Sequence, residues 1–126
     1  MLKFELVSPE RMLASMEAGS VTIPGQMGEM TAMPGHAPFL TTLRPGYVTV
    51  TGAEEGRFFV TGGFAEISEE AVAVLAEEAV EADEVTEGWL SDRIAEAERA
   101  LEDAGEERAQ AALQRLNDYR ALAGQA

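Results

Sequence analysis

The sequence carries few side chains that could perform covalent or metal chemistry. His36 is the only histidine among 126 residues, and there is no cysteine. A serine nucleophile needs a neighbouring base, and a zinc site needs several His or Cys ligands. His36 lies in the segment 34–38 (PGHAP), which holds no nucleophile motif, so its expected role is a hydrogen bond that fixes this loop. We therefore expect no catalytic residue, no metal site and no enzymatic activity in this chain.

Two other segments could be taken for ligand sites, but neither has the required spacing. The run of acidic residues between positions 77 and 87 lacks the regular oxygen ligands and central glycine of an EF-hand loop, so a solvated surface is expected there. The segment 25–28 (GQMG) does not end in the Gly-Lys-Ser/Thr of a phosphate-binding loop. These motifs predict no cofactor.

Two sets of side chains could instead contact a partner protein. Met27 and Met30 lie in a turn-rich segment, where methionine suits either an irregular partner surface or the core, and the sequence leaves both open. Arg108, Arg115 and Arg120 are notable in a chain of net charge -14. Arg108 and Arg115 are seven residues apart on one helical face, which could bind carboxylates of a partner or simply be solvated.

Charge and hydropathy narrow the class of partner. A net charge of -14 disfavours nucleic acid and anionic lipid, because both are bound through clustered Lys and Arg. No apolar run reaches the roughly 18 residues of a membrane-spanning helix. The first six residues already alternate like a strand, which leaves no room for a signal peptide.

The pattern of residues 1–83 predicts an antiparallel β-sandwich or barrel, and several strands with two half-buried faces favour the two-layer sandwich. Short alternating segments are separated by Gly and Pro at intervals of 8 to 12 residues, which is typical of stacked antiparallel strands. Residues 52–56 are expected to form a turn, and Gly62-Gly63 a bulge or a close approach of strands. Residues 71–76 (AVAVLA) could be helix or strand, and alternation of the β-branched Val72 and Val74 favours a strand.

Residues 84–126 have a different period and predict a two-helix hairpin. Apolar residues recur at steps of three and four, with Gly105 as a stop between the helices. The two predicted apolar faces are Leu90, Ile94, Ala97, Leu101 and Ala104, and then Ala109, Ala112, Leu113, Leu116 and Tyr119. Each large side chain contributes about 1.5–3 kcal/mol when fully buried, whereas ordering each residue costs roughly 1–2 kcal/mol. The hairpin alone is therefore expected to be only marginally stable. It could be either a conformational switch or an element that stays docked permanently on a neighbouring surface.

Five segments of the chain resemble one known family, the epsilon subunit of the F-type ATP synthase. They occur in the family's order and cover nearly all of residues 1–83, and the PGHAP loop and the Gly-Gly-Phe segment are the most specific. The segments are 6–10 (LVSPE), 21–25 (VTIPG), 33–41 (MPGHAPFLT), 43–46 (LRPG) and 59–66 (FVTGGFAE). The resemblance implies a β-sandwich of about ten strands followed by a regulatory helical hairpin.

The resemblance also implies a function and partners. It implies a non-catalytic rotor subunit of the central stalk, coupling proton-driven rotation of the c-ring to ATP synthesis. Residues 1–83 would bind the gamma subunit and the c-ring, and the residues matching the ring-facing loop are Glu29, Met30 and His36. The location implied is peripheral, on the cytoplasmic side of a bacterial plasma membrane, through other subunits.

For the hairpin, the resemblance implies contact with the alpha and beta subunits and restraint of ATP hydrolysis. Arg108, Arg115 and Arg120 are the candidates for an acidic segment of beta, although residues 84–126 carry 10 acids against 5 arginines, a net charge of -5. Some relatives bind ATP through an Ile/Leu-Asp-x-x-Arg-Ala motif. The segment 116–121 (LNDYRA) matches it with Asn at the Asp position, which makes Arg120 a candidate nucleotide ligand.

One alternative is a free-standing β-sandwich that binds a nucleotide or a sugar. It predicts a concave site with aromatic platforms. Only one Trp, two Tyr and five Phe are present, which disfavours this alternative.

Overall fold

A computed structural model of the chain describes residues 1–52 and 54–123. Ala53, in the predicted turn, and residues 124–126, at the end of the predicted hairpin, lie outside the described residues. The chain forms two compact units, Met1–Ala82, here called the β-domain, and Asp83–Ala126, here called the hairpin. The β-domain holds ten strands and the hairpin two α-helices, which confirms the predicted fold class.

The strands form where apolar and polar residues alternate, because successive side chains of a strand point to opposite faces. In β1, for example, Leu2, Phe4 and Leu6 are fully buried while Lys3 is exposed. Residues 71–76 form a strand, as the β-branched pattern predicts. The ten strands are β1 (Leu2–Val7), β2 (Met12–Ala18), β3 (Ser20–Gly25), β4 (Gly28–Ala32), β5 (Phe39–Leu43), β6 (Gly46–Thr51), β7 (Gly56–Val60), β8 (Gly63–Ile67), β9 (Ala71–Ala76) and β10 (Ala79–Glu81).

The sheet folds over on itself to enclose the core. Hydrogen bonds link the strands in the order β10-β7-β6-β3-β5-β8-β9-β1-β2, with β4 paired to β3. Phe4 of β1 stacks on Phe58 of β7, with ring centroids 6.2 Å apart. Because β1 and β7 belong to opposite ends of this order, the two halves of the sheet face each other. They join at β3 and β5, where Gly25 pairs with Leu43.

One strand pair differs from the antiparallel prediction, since β1 and β9 are parallel. Alternation has the same period in parallel and antiparallel strands, so the sequence pattern could not distinguish them. Next to this pair, Gly63 has φ +134°, and a Cβ there would collide with the carbonyl oxygen of Leu75. This confirms the close approach of strands predicted at Gly62-Gly63.

The hairpin contains α1 (Glu87–Asp103) and α2 (Glu106–Ala123), preceded by a short 3-10 turn at Ala82–Glu84. The hydroxyl of Thr86 caps α1 by accepting a hydrogen bond from the Trp89 N–H at 3.1 Å. Gly105 lies between the helices, which pack against each other. No helix in the described part of the chain is both long and apolar enough to cross a membrane.

The predicted apolar faces of the helices are only partly buried. Leu90, Ala97, Leu116 and Tyr119 are buried, whereas Leu113 is 40% exposed. At 100° per residue, Leu113 lies at the margin of the stripe formed by the other apolar residues of α2, so it contributes little to the packed face.

Candidate functional site

One outward face of the β-domain carries a row of exposed apolar side chains across four neighbouring strands. The strand register pairs Met12 with Val7, Val7 with Leu75, and Leu75 with Phe64. Met12, Leu75 and Phe64 are each about half exposed, at 53%, 52% and 54%, and Val7 is half-buried. These four residues are called the apolar strip. Exposed apolar side chains lined up on neighbouring strands make this row a candidate interaction surface.

The row beside the apolar strip alternates apolar and acidic side chains. On the same face, the register pairs Leu40 with Glu66, Glu66 with Ala73, and Ala73 with Glu5. Leu40 is 68% exposed and Glu66 is also exposed. The strip therefore suits a partner with an apolar ridge flanked by basic side chains, because opposite charges across an interface favour the correct partner.

The turn between β3 and β4 lies next to this face. Met27 in this turn and Met30 in β4 have different environments. Met27 is 98% exposed, whereas Met30 packs against the hydrophobic core. The Gln26 N–H donates to the Thr42 carbonyl oxygen at 3.0 Å, and the Thr42 hydroxyl donates to Gln26 Oε1 at 3.4 Å. Of the two roles left open by the sequence, Met27 is available to a partner, whereas Met30 is partly buried and packs against the core.

Glu29, Met30 and His36, the predicted ring-facing residues, do not form one cluster. Glu29 is exposed near the start of β4, opposite Pro24. His36 follows the other end of β4, after roughly 10 Å of strand from Glu29 to Ala32. There its Nδ1 donates to the Ala37 carbonyl oxygen at 2.6 Å, which is the loop-fixing hydrogen bond expected from the sequence.

The three candidate arginines of the hairpin are divided between two places. Arg108 and Arg115 line the same open cavity of about 960 Å³ beside the turn between the helices. Asp103, Glu106 and Glu107 line it as well, so the positive charges there are accompanied by carboxylates. Arg120 lies elsewhere, where its Nη2 donates to Glu98 Oε2 of α1 at 3.3 Å.

The partial nucleotide motif at residues 116–121 shows the packing of an ordinary helix. Leu116 and Tyr119 are buried and Asn117 is exposed. Arg120 is engaged with Glu98. ATP binding through Arg120 stays a prediction. Among residues 1–52 and 54–123, no three His, Asp or Glu side chains lie close enough together to hold a metal ion.

The sequence contains one signal for the apolar strip, namely apolar residues at strand positions that face outward. Leu75 falls between the buried Val74 and Ala76, at a position where a half-buried strand normally carries a polar residue. Phe64 is likewise apolar on the outward face of its strand. Such breaks in alternation indicate a surface residue kept apolar, but assembling them into one row required the strand register.

The chain was compared with family models and with curated proteins. Residues 1–82 match the model described as "ATP synthase, Delta/Epsilon chain, beta-sandwich domain". The ATP synthase epsilon chain of Ruegeria sp. (strain TM1040) is 53% identical over 108 residues, which are 84% of this chain and 78% of the relative. The epsilon chain of Rhodobacter capsulatus is 47% identical over 122 residues, which are 96% of this chain and 92% of the relative.

Solved structures agree at the level of the fold. A chain in the cryo-EM structure of the Euglena gracilis mitochondrial ATP synthase, described as OSCP/F1/c-ring in rotational state 1, has a TM-score of 0.73 and 22% identity. It matches 96% of this chain and 78% of its own length. A chain in the central stalk/c-ring structure from Tetrahymena thermophila has a TM-score of 0.57 and 18% identity, over 66% of this chain and 68% of that one. From the family model and the curated relatives, the chain belongs to the ATP synthase epsilon chain family.

Proposed function

We propose that this chain is a non-catalytic subunit of the central stalk of a bacterial ATP synthase, coupling proton-driven rotation of the c-ring to ATP synthesis. The observation that carries the proposal is the apolar strip, which gives a domain of this family a surface suited to a protein partner. The subunit would be peripheral to the plasma membrane on its cytoplasmic side, held there by other subunits.

The β-domain, about residues 1–83, would do the coupling through two contacts. The apolar strip would bind the gamma subunit, in an interface burying on the order of 1,000 Å² or more. Glu29 is exposed and would contact the polar loops of the c-ring. Met30, which is partly buried against the core, and His36, on the following loop, would complete this contact with the c-ring. No bond is made or broken, because the transmission is mechanical.

Residues 84–126, which include both helices of the hairpin, would restrain ATP hydrolysis. Arg108 is exposed at the end of the hairpin and Arg115 lines the same cavity, so they could reach an acidic segment of the beta subunit together. Arg120 would have to leave Glu98 first. The hairpin buries few large side chains, which would allow a partner to compete for its packed surfaces.

Co-purification with gamma, followed by ATPase assays, tests both parts. The full-length chain should co-purify with gamma, and removal of residues 84–126 should leave this association intact while raising ATP hydrolysis modestly. Absence of association in dilute buffer would contradict the stalk assignment. Unchanged hydrolysis over all ATP concentrations and proton gradients would contradict only the restraining role of the hairpin.

A further inference from the structure

We propose that two free copies of this chain pair through the outward face of α2, in antiparallel orientation. Five residues spaced alternately by four and three positions lie within an arc of about 80° on this face. They are called the α2 seam and are Glu106, Gln110, Leu113, Asn117 and Arg120. All five are exposed, and Leu113 is 40% exposed. The inference does not depend on the proposed function, because it concerns copies of the chain outside the enzyme.

The α2 seam is self-complementary about Leu113. Glu106 lies seven residues before Leu113 and Arg120 seven residues after it, which is about 10.5 Å along the helix in each direction. A second copy, rotated by 180° about an axis at Leu113, therefore places Glu106 of each copy opposite Arg120 of the other. The two Leu113 side chains then meet at the axis. Pairing of one patch with itself is the arrangement that two-fold symmetry requires.

The amide side chains of the α2 seam fit the same arrangement. Gln110 lies three residues before Leu113 and Asn117 four residues after it. In the antiparallel pair, Gln110 of one copy lies opposite Asn117 of the other, offset by only about 1.5 Å along the axis. Each amide carries both donors and an acceptor, so the two side chains can exchange hydrogen bonds.

Charge favours the antiparallel orientation over the parallel one. Antiparallel copies form two Glu106–Arg120 pairs, whereas parallel copies bring like charges together at both ends of the seam. Within one copy, Arg120 Nη2 already donates to Glu98 Oε2 at 3.3 Å. A guanidinium group has five N–H donors, so Arg120 can bind a second carboxylate while keeping Glu98.

The two helices differ in whether their exposed residues allow a second copy to approach. The exposed residues of α1 include six acids and one arginine, so this helix repels another acidic chain. The α2 seam holds one acid and one arginine and has no net charge, in a chain of net charge -14. It also presents an exposed leucine at its centre. Self-association is therefore expected along α2.

The size and charge of the pair set the conditions for observing it. Each α2 has 18 residues and is about 27 Å long, so the contact is smaller than a standard stable interface. Pairing should consequently be weak and dependent on concentration. At roughly 0.15 M salt, repulsion between the acidic copies is screened beyond about 8 Å. The full-length chain is therefore studied at this salt concentration and at several hundred micromolar.

The first test uses the absence of cysteine from the chain. Leu113→Cys introduces one thiol at the proposed axis, and mild oxidation should link two copies by a disulfide. Asn117→Cys is the matched control, because its two thiols are offset by about 12 Å along the helices, whereas a disulfide needs Cα atoms within about 7 Å. Linked dimer should form roughly tenfold faster from Leu113→Cys, after correction for the reactivity of each thiol with a small reagent.

Equal linking rates for the two cysteine variants would overturn the proposal. Two fast rates would indicate parallel copies, in which every residue of the seam faces itself. Two slow rates would indicate chains that meet only by random collision.

The second test exchanges the charges of the seam. Arg120→Glu turns both ion pairs into repulsive contacts and should weaken self-association by roughly tenfold, as measured by sedimentation equilibrium. Adding Glu106→Arg restores opposite charges across the pair, so the affinity should return to within about threefold of the wild type. Both variants place a glutamate beside Glu98, so this change within the hairpin is the same in each.

Unchanged self-association of Arg120→Glu, or no recovery in the double variant, would contradict the antiparallel pair. If circular dichroism shows that the charge variants have lost helix, the comparison of the two cysteine variants decides the question alone. Neither test involves another subunit of the ATP synthase, so failure of the inference leaves the proposed function unaffected.

Discussion

The β-domain and the hairpin differ in how much buried apolar surface stabilises them. All twelve of the largest fully buried side chains in the described residues belong to the β-domain, including Phe4, Phe59 and Ile23. The buried side chains of the hairpin are fewer, and one of them is only an alanine, Ala97. The β-domain therefore has a core that fixes its shape, whereas the stability of the hairpin depends more on local interactions such as the helix cap.

This difference matches the division of roles in the proposed function. A surface that transmits torque must keep its shape under load, and the apolar strip lies on strands whose other face forms the core. An element that restrains hydrolysis under some conditions must exist in two states of similar free energy, and a ligand or partner can shift it only by its differential affinity for them. Weak packing within the hairpin keeps the free-energy difference between two such states small.

Removing a core side chain from the β-domain should have the largest effect on stability. Phe4 is fully buried and stacks on Phe58, so Phe4→Ala leaves a cavity between the two halves of the sheet. We expect a loss of about 3–5 kcal/mol in the free energy of unfolding. Urea unfolding followed by far-UV circular dichroism measures it.

The matched substitution in the hairpin is Leu116→Ala, because Leu116 is 3% exposed. It should lower the helical signal while leaving the urea midpoint of the β-domain within error. If Leu116→Ala lowered that midpoint as much as Phe4→Ala does, the two regions would be one cooperative unit and the contrast between them would be wrong.

The sequence predicted the elements of this fold more readily than their pairing. Alternation located strands such as residues 71–76, and steps of three and four located both helices, since each pattern reflects one element. The parallel pairing of β1 with β9 depends on where strands distant in sequence meet, which a local pattern does not encode.

The candidate sites show the same limit. Side-chain types identified Met27 and Met30 together, but only the fold shows that one is exposed and the other packs on the core. Likewise, Phe64 and Leu75 are eleven residues apart in the sequence and directly opposite each other in the sheet. Surfaces built across strands are thus the part of a site that a single sequence describes least well.

Loss of the α1 cap should have an intermediate effect, confined to the hairpin. Thr86→Ala removes the hydroxyl that accepts the Trp89 N–H, leaving a donor at the start of α1 without its partner. We expect helix destabilisation of about 1 kcal/mol. Faster hydrogen exchange of the Trp89 and Leu90 amides would report it.

Ser91→Ala is the control for this substitution, since Ser91 is exposed inside α1. It should leave the exchange rates of those amides unchanged or slow them slightly, because alanine is the better helix former. Equal acceleration by both variants would mean that the hydroxyl of Thr86 does not stabilise the start of α1.

The smallest effect should come from the ion pair between the two helices. Arg120 and Glu98 are 3.3 Å apart, but their side chains are 53% and 51% exposed. Solvent and salt screen such a pair, so a double-mutant cycle with Arg120→Ala and Glu98→Ala should give a coupling of about 0.5 kcal/mol or less. If the proposed function holds, a pair this weak would let Arg120 leave Glu98 for a carboxylate of the beta subunit at little cost. On that proposal the two single variants should have opposite effects on ATP hydrolysis, since Arg120→Ala would remove the restraining charge and Glu98→Ala would free it. Hydrolysis that rises equally in both variants would show that the Arg120–Glu98 pair itself, and not a freed Arg120, restrains the enzyme.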